Sequence, residues 1–395
     1  IAVGDPISDP NYQDNKWWFK GRIKLFDLSG GIWNYNTSYP DVDYFSQKGL
    51  SIALSGDGKV IATRIRTINN TTYNINIHKF ENNTWTSMGT IEGYNETTET
   101  SNNYNNVGDS DSIVTSYGNG DVNFAHKIEL SYDGTIMLVS CPNGMLDING
   151  QNQQSIGFAD VFNYNQSNNT WSNIRLFGKE NIITESEFSS SISLSNNGLI
   201  AAIGSPRFSN DYTGYVGLYS NVNGSWGLLG NYIEGTTSGS YFGNSVSLSN
   251  DGTKVAISSY KDSSQYTYGG SVVTYKYETD SWIKYGNTIY GKNNNEQFGE
   301  VLKMSGDSTT LIISSIGNTS NGLNSGFIRV YLYNEDLDSW TQLGYDINGH
   351  TPEMRFGKTI SIRNTGEYFV VGANHGETQL TYWDTSINSY TTSGS

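Results

Sequence analysis

The residues most suited to chemistry in this chain are acidic turns that recur along it. The stretch from Ser245 to Ser259 reads SVSLSNDGTKVAISS and places Asp251 between two short apolar alternations. Related phrases read SIALSGDGKVIATR, KIELSYDGTIMLVS, SISLSNNGLIAAIG, VLKMSGDSTTLIIS and TISIRNTGEYFVVG. Such a turn is open to three interpretations: a calcium loop, part of a catalytic box, or a hairpin turn. Each copy holds at most one carboxylate, whereas calcium takes about six to eight oxygen ligands. The phrase therefore favours a two-residue hairpin turn, with no metal site and no cofactor.

The other titratable residues form no recognisable catalytic pattern. The histidines (His78, His126, His350 and His375) are scattered, and there is no Gly-x-Ser-x-Gly elbow. Carboxylates from distant segments can converge, as in glycoside hydrolases, so a glycan-active hydrolase stays open as a less favoured alternative. Cys141 is the single cysteine, which excludes a disulfide framework. Its place in MLVSCP matches Ser205 in AAIGSP, at the end of a predicted strand. We predict no catalytic residue and no enzymatic activity.

Aromatic residues divide into a repeated set and an irregular set. A Trp recurs near the start of the last strand of each repeat, at Trp33, Trp85, Trp171, Trp226, Trp282 and Trp340. This fixed place favours packing between repeats over ligand stacking. The pair Trp17 and Trp18 lies instead in the variable loop DPNYQDNKWWFKG, and tyrosines lie in the long loops. Because binding residues concentrate on loops held by a rigid scaffold, the candidate ligand-binding residues are Trp17, Trp18, Tyr104, Tyr117, Tyr212, Tyr266 and Tyr268.

The elements that position these residues are short strands in a repeat. The pivots of the repeated phrase are Leu54, Leu130, Leu194, Leu248, Met304 and Ile362. Each unit reads as four strands of period-two patterning, and IAVGDP, GRIKLFDL and GIWNYN match the second, third and fourth strands. We predict an all-β fold: a seven-bladed β-propeller of four-stranded antiparallel blades over residues 1–395, whose first blade is incomplete at the N-terminus. The blades are expected at approximately 1–40, 41–94, 122–180, 185–236, 240–292, 296–350 and 354–395, with a long insertion at 95–121.

The repeat resembles FG-GAP-type β-propeller repeats, the family of the integrin α-subunit head. Phe242-Gly243, Phe298-Gly299 and Phe356-Gly357 match the FG element. Gly204-Ser205-Pro206 and Gly372-Ala373 approximate the GAP element. The resemblance covers nearly the whole chain and implies a propeller fold. It also implies the extracellular, repeat-rich setting of that family, although its calcium-binding acidic loops are reduced here.

Composition limits the partners and the location. A net charge of -15 makes nucleic acid an unsuitable partner, since binding it depends on cationic side chains. No apolar run is long enough to span a membrane. Sequons for N-glycosylation occur at Asn36, Asn69, Asn70, Asn82, Asn95, Asn165, Asn168, Asn223 and Asn318. Several of them lie at predicted outer turns, which favours a secreted glycoprotein over a chain that is Asn-rich by composition alone.

Together these observations predict a non-enzymatic extracellular or surface-associated module. It would bind an extracellular protein or glycan through the long-loop face, as in cell adhesion. The alternative is a structural subunit of a surface layer, appendage or filament, in which further copies of the chain are the partners. The missing first strand of the first blade favours the alternative, because an open strand edge can pair with another chain.

Overall fold

The described chain consists of β-strands and the turns that join them. The computed structural model describes residues 2–5, 22–29, 32–36, 46–67, 73–93, 124–144, 147–148, 151–152, 157–179, 187–317, 320–373, 380–384 and 389–393. Within these ranges there is no helix, and hence no helix long and apolar enough to cross a membrane. The chain divides into two compact units: Ile1–Ser189 with Asn196–Gly198, and Ser190–Ser195 with Leu199–Ser395.

The first unit contains three larger antiparallel sheets and one short hairpin. In chain order the strands are β1 (Ala2–Asp5), β2 (Arg22–Ser29), β3 (Ile32–Asn36), β4 (Ser46–Leu54), β5 (Val60–Thr67), β6 (Tyr73–Glu81), β7 (Thr84–Ile91), β8 (Ile128–Leu130), β9 (Ile136–Cys141), β10 (Asp147–Ile148), β11 (Gln151–Asn152), β12 (Phe158–Asn165) and β13 (Thr170–Leu176). The sheets have the orders β1-β2-β3, β4-β5-β6-β7 and β13-β12-β9-β8, and β10 pairs with β11. The short hairpin lies inside a segment that the sequence predicted only as a loop.

The second unit repeats the four-stranded arrangement. Its strands are β14 (Ser191–Leu194), β15 (Ile200–Ser205), β16 (Tyr215–Val222), β17 (Ser225–Leu228), β18 (Ile233–Glu234), β19 (Phe242–Leu248), β20 (Lys254–Ser259), β21 (Ser271–Glu278), β22 (Ser281–Tyr290), β23 (Leu302–Met304), β24 (Thr310–Ser315), β25 (Phe327–Asn334), β26 (Ser339–Asn348), β27 (Thr359–Ile362), β28 (Phe369–Gly372), β29 (Leu380–Asp384) and β30 (Ser389–Ser393). The sheets are β14-β15-β16-β17 with β18 also on β16, β19-β20-β21-β22, β23-β24-β25-β26, β27-β28 and β29-β30.

These sheets confirm the all-β prediction, and four-stranded antiparallel sheets in succession are consistent with a β-propeller. The stretches predicted as the second, third and fourth strands of the first blade are β1, β2 and β3. Burial explains the strand patterns. The second strands consist mainly of apolar and small residues because both faces are covered: every residue of β24 is buried. The fourth strand lies at an edge, and β22 is accordingly a mixture of exposed and buried positions.

The recurring tryptophans pack between sheets, as the sequence predicted. In the first unit the indole N–H of Trp171 donates to the carbonyl of Met88 at 3.1 Å. In the second unit the indole N–H of Trp282 donates to the carbonyl of Leu229 at 2.9 Å. Trp340 likewise donates to the hydroxyl of Thr274 at 3.0 Å. In all three cases the acceptor belongs to the preceding sheet, so each Trp joins its own repeat to the one before.

Serine hydroxyls satisfy the edges of the first strands in the second unit. β19 lies beside β14, and β23 lies beside β19. Backbone N–H groups of the later strand donate to serines of the earlier one: Leu248 to Ser193 (3.0 Å), Leu302 to Ser245 (3.2 Å) and Met304 to Ser247 (3.0 Å). All of these atoms are buried. The serine hydroxyls therefore accept the hydrogen bonds that the carbonyls of a neighbouring strand would accept in a continuous sheet.

The acidic turns are hairpin turns with a longer loop than predicted. In the first unit the N–H of Ser55 donates to the carbonyl of Val60 at 2.8 Å, and the N–H of Gly58 to the carbonyl of Ser55 at 2.9 Å. Asp57 accepts the Ser55 hydroxyl at 2.6 Å and the N–H of Lys59 at 2.9 Å. The loop exceeds two residues because the carboxylate itself closes it, while Gly58 supplies the left-handed conformation (φ 72°).

Candidate functional site

At one end of the sheets, pairs of facing loops have the same backbone hydrogen bond in successive repeats but carry different side chains. In three successive repeats of the second unit, the N–H of one residue donates to a carbonyl in the facing loop: Tyr241 to Tyr212 (3.0 Å), Gln297 to Tyr268 (2.9 Å) and Arg355 to Asn324 (2.8 Å). Tyr241, Gln297 and Arg355 share a positive φ of 57°, 54° and 51°. These three residues are therefore equivalent positions, and they differ only in the side chain.

A second set of equivalent positions follows the Phe-Gly pair that starts each first strand. The residue after the glycine is Asn244, Glu300 or Lys358. The glycines have φ values of 89°, 96° and 96°, which L side chains rarely adopt. A Cβ on Gly299 would also stand 2.9 Å from the Cβ of Ser258. The glycine thus lets the chain pass close to the preceding sheet and turns the next side chain towards its neighbours.

Glu300 is the group in these two sets whose protonation is perturbed. Burial raises the pKa of its carboxyl above the ordinary value, and this outweighs the opposing effects of Lys358, Arg355 and a backbone hydrogen bond from Ile316. Asn244 holds the same residue, because its Nδ2 donates to the Glu300 carbonyl at 2.9 Å. A half-buried carboxyl of raised pKa beside two exposed cations can exchange a proton near a bound anion.

A buried ion-pair network fixes the loop that carries Gln297 and Glu300. Arg329 on β25 makes two bonds to Asp346 on β26, Nε to Oδ1 at 2.8 Å and Nη2 to Oδ2 at 2.9 Å. Its Nη1 donates to Glu296. Burial raises the pKa of Asp346, but the hydrogen bonds and charge of Arg329 outweigh burial and hold it below the ordinary value. Both acids are satisfied by Arg329, so we assign this network a positioning role.

The described ligand-binding candidates are exposed but differ in their surroundings. Tyr212 lies between β15 and β16, and its ring stacks on Tyr241 with centroids 5.3 Å apart and planes 9° apart. Tyr266 and Tyr268 lie between β20 and β21 and are exposed. Trp17, Trp18, Tyr104 and Tyr117 lie outside the described residues. Tyr241, the stacking partner, was missed because it stands directly before the Phe-Gly pair and outside the long loops from which the candidates were chosen.

The described sequons lie at outer turns. Asn82, Asn165, Asn168 and Asn223 are exposed, and Asn36 ends β3, while Asn69, Asn70, Asn95 and Asn318 lie outside the described residues. Cys141 ends β9 as Ser205 ends β15, in line with the prediction, and burial raises the pKa of its thiol. Among the described residues no three His, Cys, Asp or Glu side chains cluster in a way that could hold a metal ion.

The sequence did not single out Glu300, Arg355 or Lys358. The only available signal was that the position after each Phe-Gly pair changes from Asn to Glu to Lys while its surroundings stay constant. Their proximity depends on how neighbouring repeats pack, which the linear spacing does not contain.

Comparison with known proteins gives a likeness of fold. No protein-family model and no curated protein matches the sequence. A crystal structure from Bacteroides uniformis, provisionally named a 6-phosphogluconolactonase, matches with a TM-score of 0.60 and 12% identity, over 99% of this chain and 94% of that one. A Bacteroides fragilis protein with the same provisional name matches with a TM-score of 0.58 and 14% identity, over 99% and 92%. A protein from Lactobacillus plantarum matches with a TM-score of 0.57 and 11% identity, over 99% of this chain and 94% of that one.

These comparisons correct the resemblance drawn from the sequence. The assignment to FG-GAP-type, integrin-like repeats is wrong, because the Phe-Gly motif reflects the close approach of backbones in this fold and the matching structures carry lactonase names. The prediction of a non-enzymatic adhesion module or structural subunit, and the description as an integrin-like adhesion glycoprotein, are wrong too, because two of the matching structures carry lactonase names. Extracellular location, protein or glycan partners, self-association and the occupancy of individual sequons stay predictions.

Proposed function

We propose that this chain is a hydrolase that opens an anionic sugar lactone or a closely related ester. The observation that carries the proposal is the half-buried carboxyl of Glu300, which has a raised pKa and lies near the cations Arg355 and Lys358, while Asn244 holds the Glu300 backbone carbonyl. A general base works best when its pKa lies near the pH of the reaction. The provisional lactonase names of two proteins of the same fold agree with this chemistry.

The reaction follows from these groups. The Glu300 carboxylate takes a proton from a water molecule as the water oxygen bonds to the acyl carbon of the lactone. The carbonyl electron pair moves onto oxygen, and the cations Arg355 and Lys358 offset the negative charge that develops there. When the carbonyl re-forms, the ring C–O bond breaks, and the proton held by Glu300 passes to the departing ring oxygen. The sum is lactone plus water giving a hydroxy acid, with Glu300 restored.

The test is hydrolysis of 6-phosphogluconolactone and of the neutral δ-gluconolactone, followed by acid release at constant pH. Glu300→Gln is expected to lower kcat by about 100- to 10,000-fold, the usual contribution of a general base. Glu353→Gln is the matched control, because Glu353 is an exposed carboxylate of a neighbouring loop. Lys358→Ala is expected to raise KM for the phosphorylated lactone more than for the neutral one. A Glu300→Gln variant as active as the parent, or a parent no faster than water, contradicts the proposal.

We further propose that these sheets form seven blades of a propeller. The three-stranded sheet β1-β2-β3 supports this, as does the proximity of β28 to β29, which would join two hairpins into one four-stranded blade. A crystal structure would count the blades, and six or eight of them would contradict the proposal.

A further inference from the structure

An ordered aromatic surface lies at the same end of the sheets as Glu300. The ring of Tyr212 is 41% exposed and lies parallel to the ring of Tyr241. Tyr241 in turn meets Tyr260 edge-on, with centroids 5.5 Å apart. The Nζ of Lys261 lies 4.5 Å from the Tyr241 ring centre and 5.3 Å from that of Tyr260. We call Tyr212, Tyr241, Tyr260 and Lys261 the tyrosine platform.

The platform is fixed before any ligand arrives. Backbone hydrogen bonds join its two loops: Gly239 N–H donates to the Asp211 carbonyl at 2.6 Å, and Tyr241 N–H donates to the Tyr212 carbonyl at 3.0 Å. β-Pairing places Phe242 opposite Ser259, so Tyr241 and Tyr260 flank the end of one hairpin. A stacked and backbone-anchored ring loses little conformational freedom on binding, which favours a flat ligand.

The position of the platform relates it to the proposed reaction. Tyr241 occupies the position that Gln297 holds in the next repeat and Arg355 in the repeat after that. Asn244 joins the platform to Glu300, because its N–H donates to the Tyr241 carbonyl at 3.2 Å and its Nδ2 donates to the Glu300 carbonyl at 2.9 Å. The order is therefore an aromatic surface, then Glu300, then the cations Arg355 and Lys358 that act on its carboxyl. A ligand with an apolar face at one end and a negative charge at the other complements this order.

We propose that the tyrosine platform binds a sugar ring of the substrate that Glu300 acts on, with the C–H face of the ring on Tyr212. This inference rests on the proposed function and names the substrate class as a cyclic sugar derivative that carries an anion. Lys261 reaches the tyrosine rings from its own loop and adds a single positive charge beside the platform.

The experiment is a binding titration by calorimetry with three probes: D-glucose 6-phosphate, which is a closed ring, D-glucitol 6-phosphate, which is an open chain of the same charge, and inorganic phosphate. We expect the closed ring to bind the parent protein about five- to tenfold more tightly than the open chain, as one aromatic contact allows. Tyr212→Ala should abolish that preference and Tyr212→Phe should keep it. Tyr345→Ala is the control, because Tyr345 on β26 is 91% exposed and outside the platform.

The outcomes separate this inference from the proposed function. Equal affinity of the parent for ring and open chain, or an unchanged preference in Tyr212→Ala, overturns the platform as a sugar site. Glu300→Gln should keep the ring preference while losing hydrolysis. If it keeps both, the platform stands and the proposed role of Glu300 fails. If Tyr212→Ala loses no ring preference while Glu300→Gln loses hydrolysis, the role of Glu300 stands and the platform fails.

Discussion

Removing the hydroxyl of Ser247 tests whether serine side chains close the first-strand edges. Ser247→Ala leaves the buried N–H of Met304 without the acceptor that now lies 3.0 Å away. An orphaned buried donor costs about 1–3 kcal/mol, and the lost methylene-sized volume is negligible by comparison. We therefore expect the free energy of unfolding to fall by about 1–3 kcal/mol, and the double variant with Ser245→Ala, which also frees the N–H of Leu302, to fall further.

Urea denaturation followed by tryptophan fluorescence measures this loss as a lower midpoint at an unchanged slope. Ser281→Ala is the matched control, because Ser281 is exposed at the start of β22, and its effect should stay within about 0.5 kcal/mol. The reasoning is refuted if Ser247→Ala is as stable as Ser281→Ala. Such a result would mean that water or a small strand shift satisfies the freed N–H, so the hydroxyls would not define the edge.

Three further predictions concern charge. Burial gives Glu300 a raised pKa in the folded state, so at pH values just above the ordinary Glu pKa the folded protein binds more protons than the unfolded one. The free energy of unfolding therefore falls as the pH rises through that window. Glu300→Gln should be more stable than the parent at neutral pH, and equal melting temperatures would contradict this. Arg329→Met leaves Glu296 buried without its partner and should cost about 3–5 kcal/mol, which urea titration would reveal; a neutral effect would show that the network is dispensable. A chelator should leave the melting midpoint unchanged, because Asp251 already accepts hydrogen bonds from the Ser249 hydroxyl and the Thr253 N–H. A fall of about 10 °C, roughly 8 kcal/mol at about 2.1 cal/mol/K of unfolding entropy per residue, would indicate a structural metal.

The repeat made most of the fold predictable. A Trp that follows a turn and an apolar run that follows Asn-Gly are patterns within a few neighbouring residues. The strands around Trp171 and Trp282 could therefore be predicted from the periodicity of the sequence. The loop of the Asp57 turn was predicted too short, because hydrogen bonds from a side chain to its own backbone are decided at the level of atoms. The hairpin of β10 and β11 was missed, since two-residue strands leave no periodic signal.

The candidate site was less predictable than the fold, for a physical reason. Tyr212 was found because it is an aromatic residue in a long loop. Glu300 was not, because its raised pKa results from burial in the folded chain, and the cations near it, Arg355 and Lys358, come from the next repeat. Tyr241 was hidden by its place beside Phe242, a framework residue. Burial and charge contacts that form between neighbouring repeats cannot be predicted from the residue spacing within a single repeat.

The direction of the tryptophan contacts has a consequence for synthesis on the ribosome. Trp171, Trp282 and Trp340 donate to acceptors that come earlier in the chain, and the N–H groups of Leu248, Leu302 and Met304 also reach back to earlier serines. Domains are built from the N-terminus as the chain emerges. Each nascent sheet therefore meets a completed surface that already presents its partners. Assembly can advance one sheet at a time, while turn donors such as the N–H groups of Asp57 and Asn250 gain their acceptors, the carbonyls of Tyr132 and Gly306, when the next repeat is added.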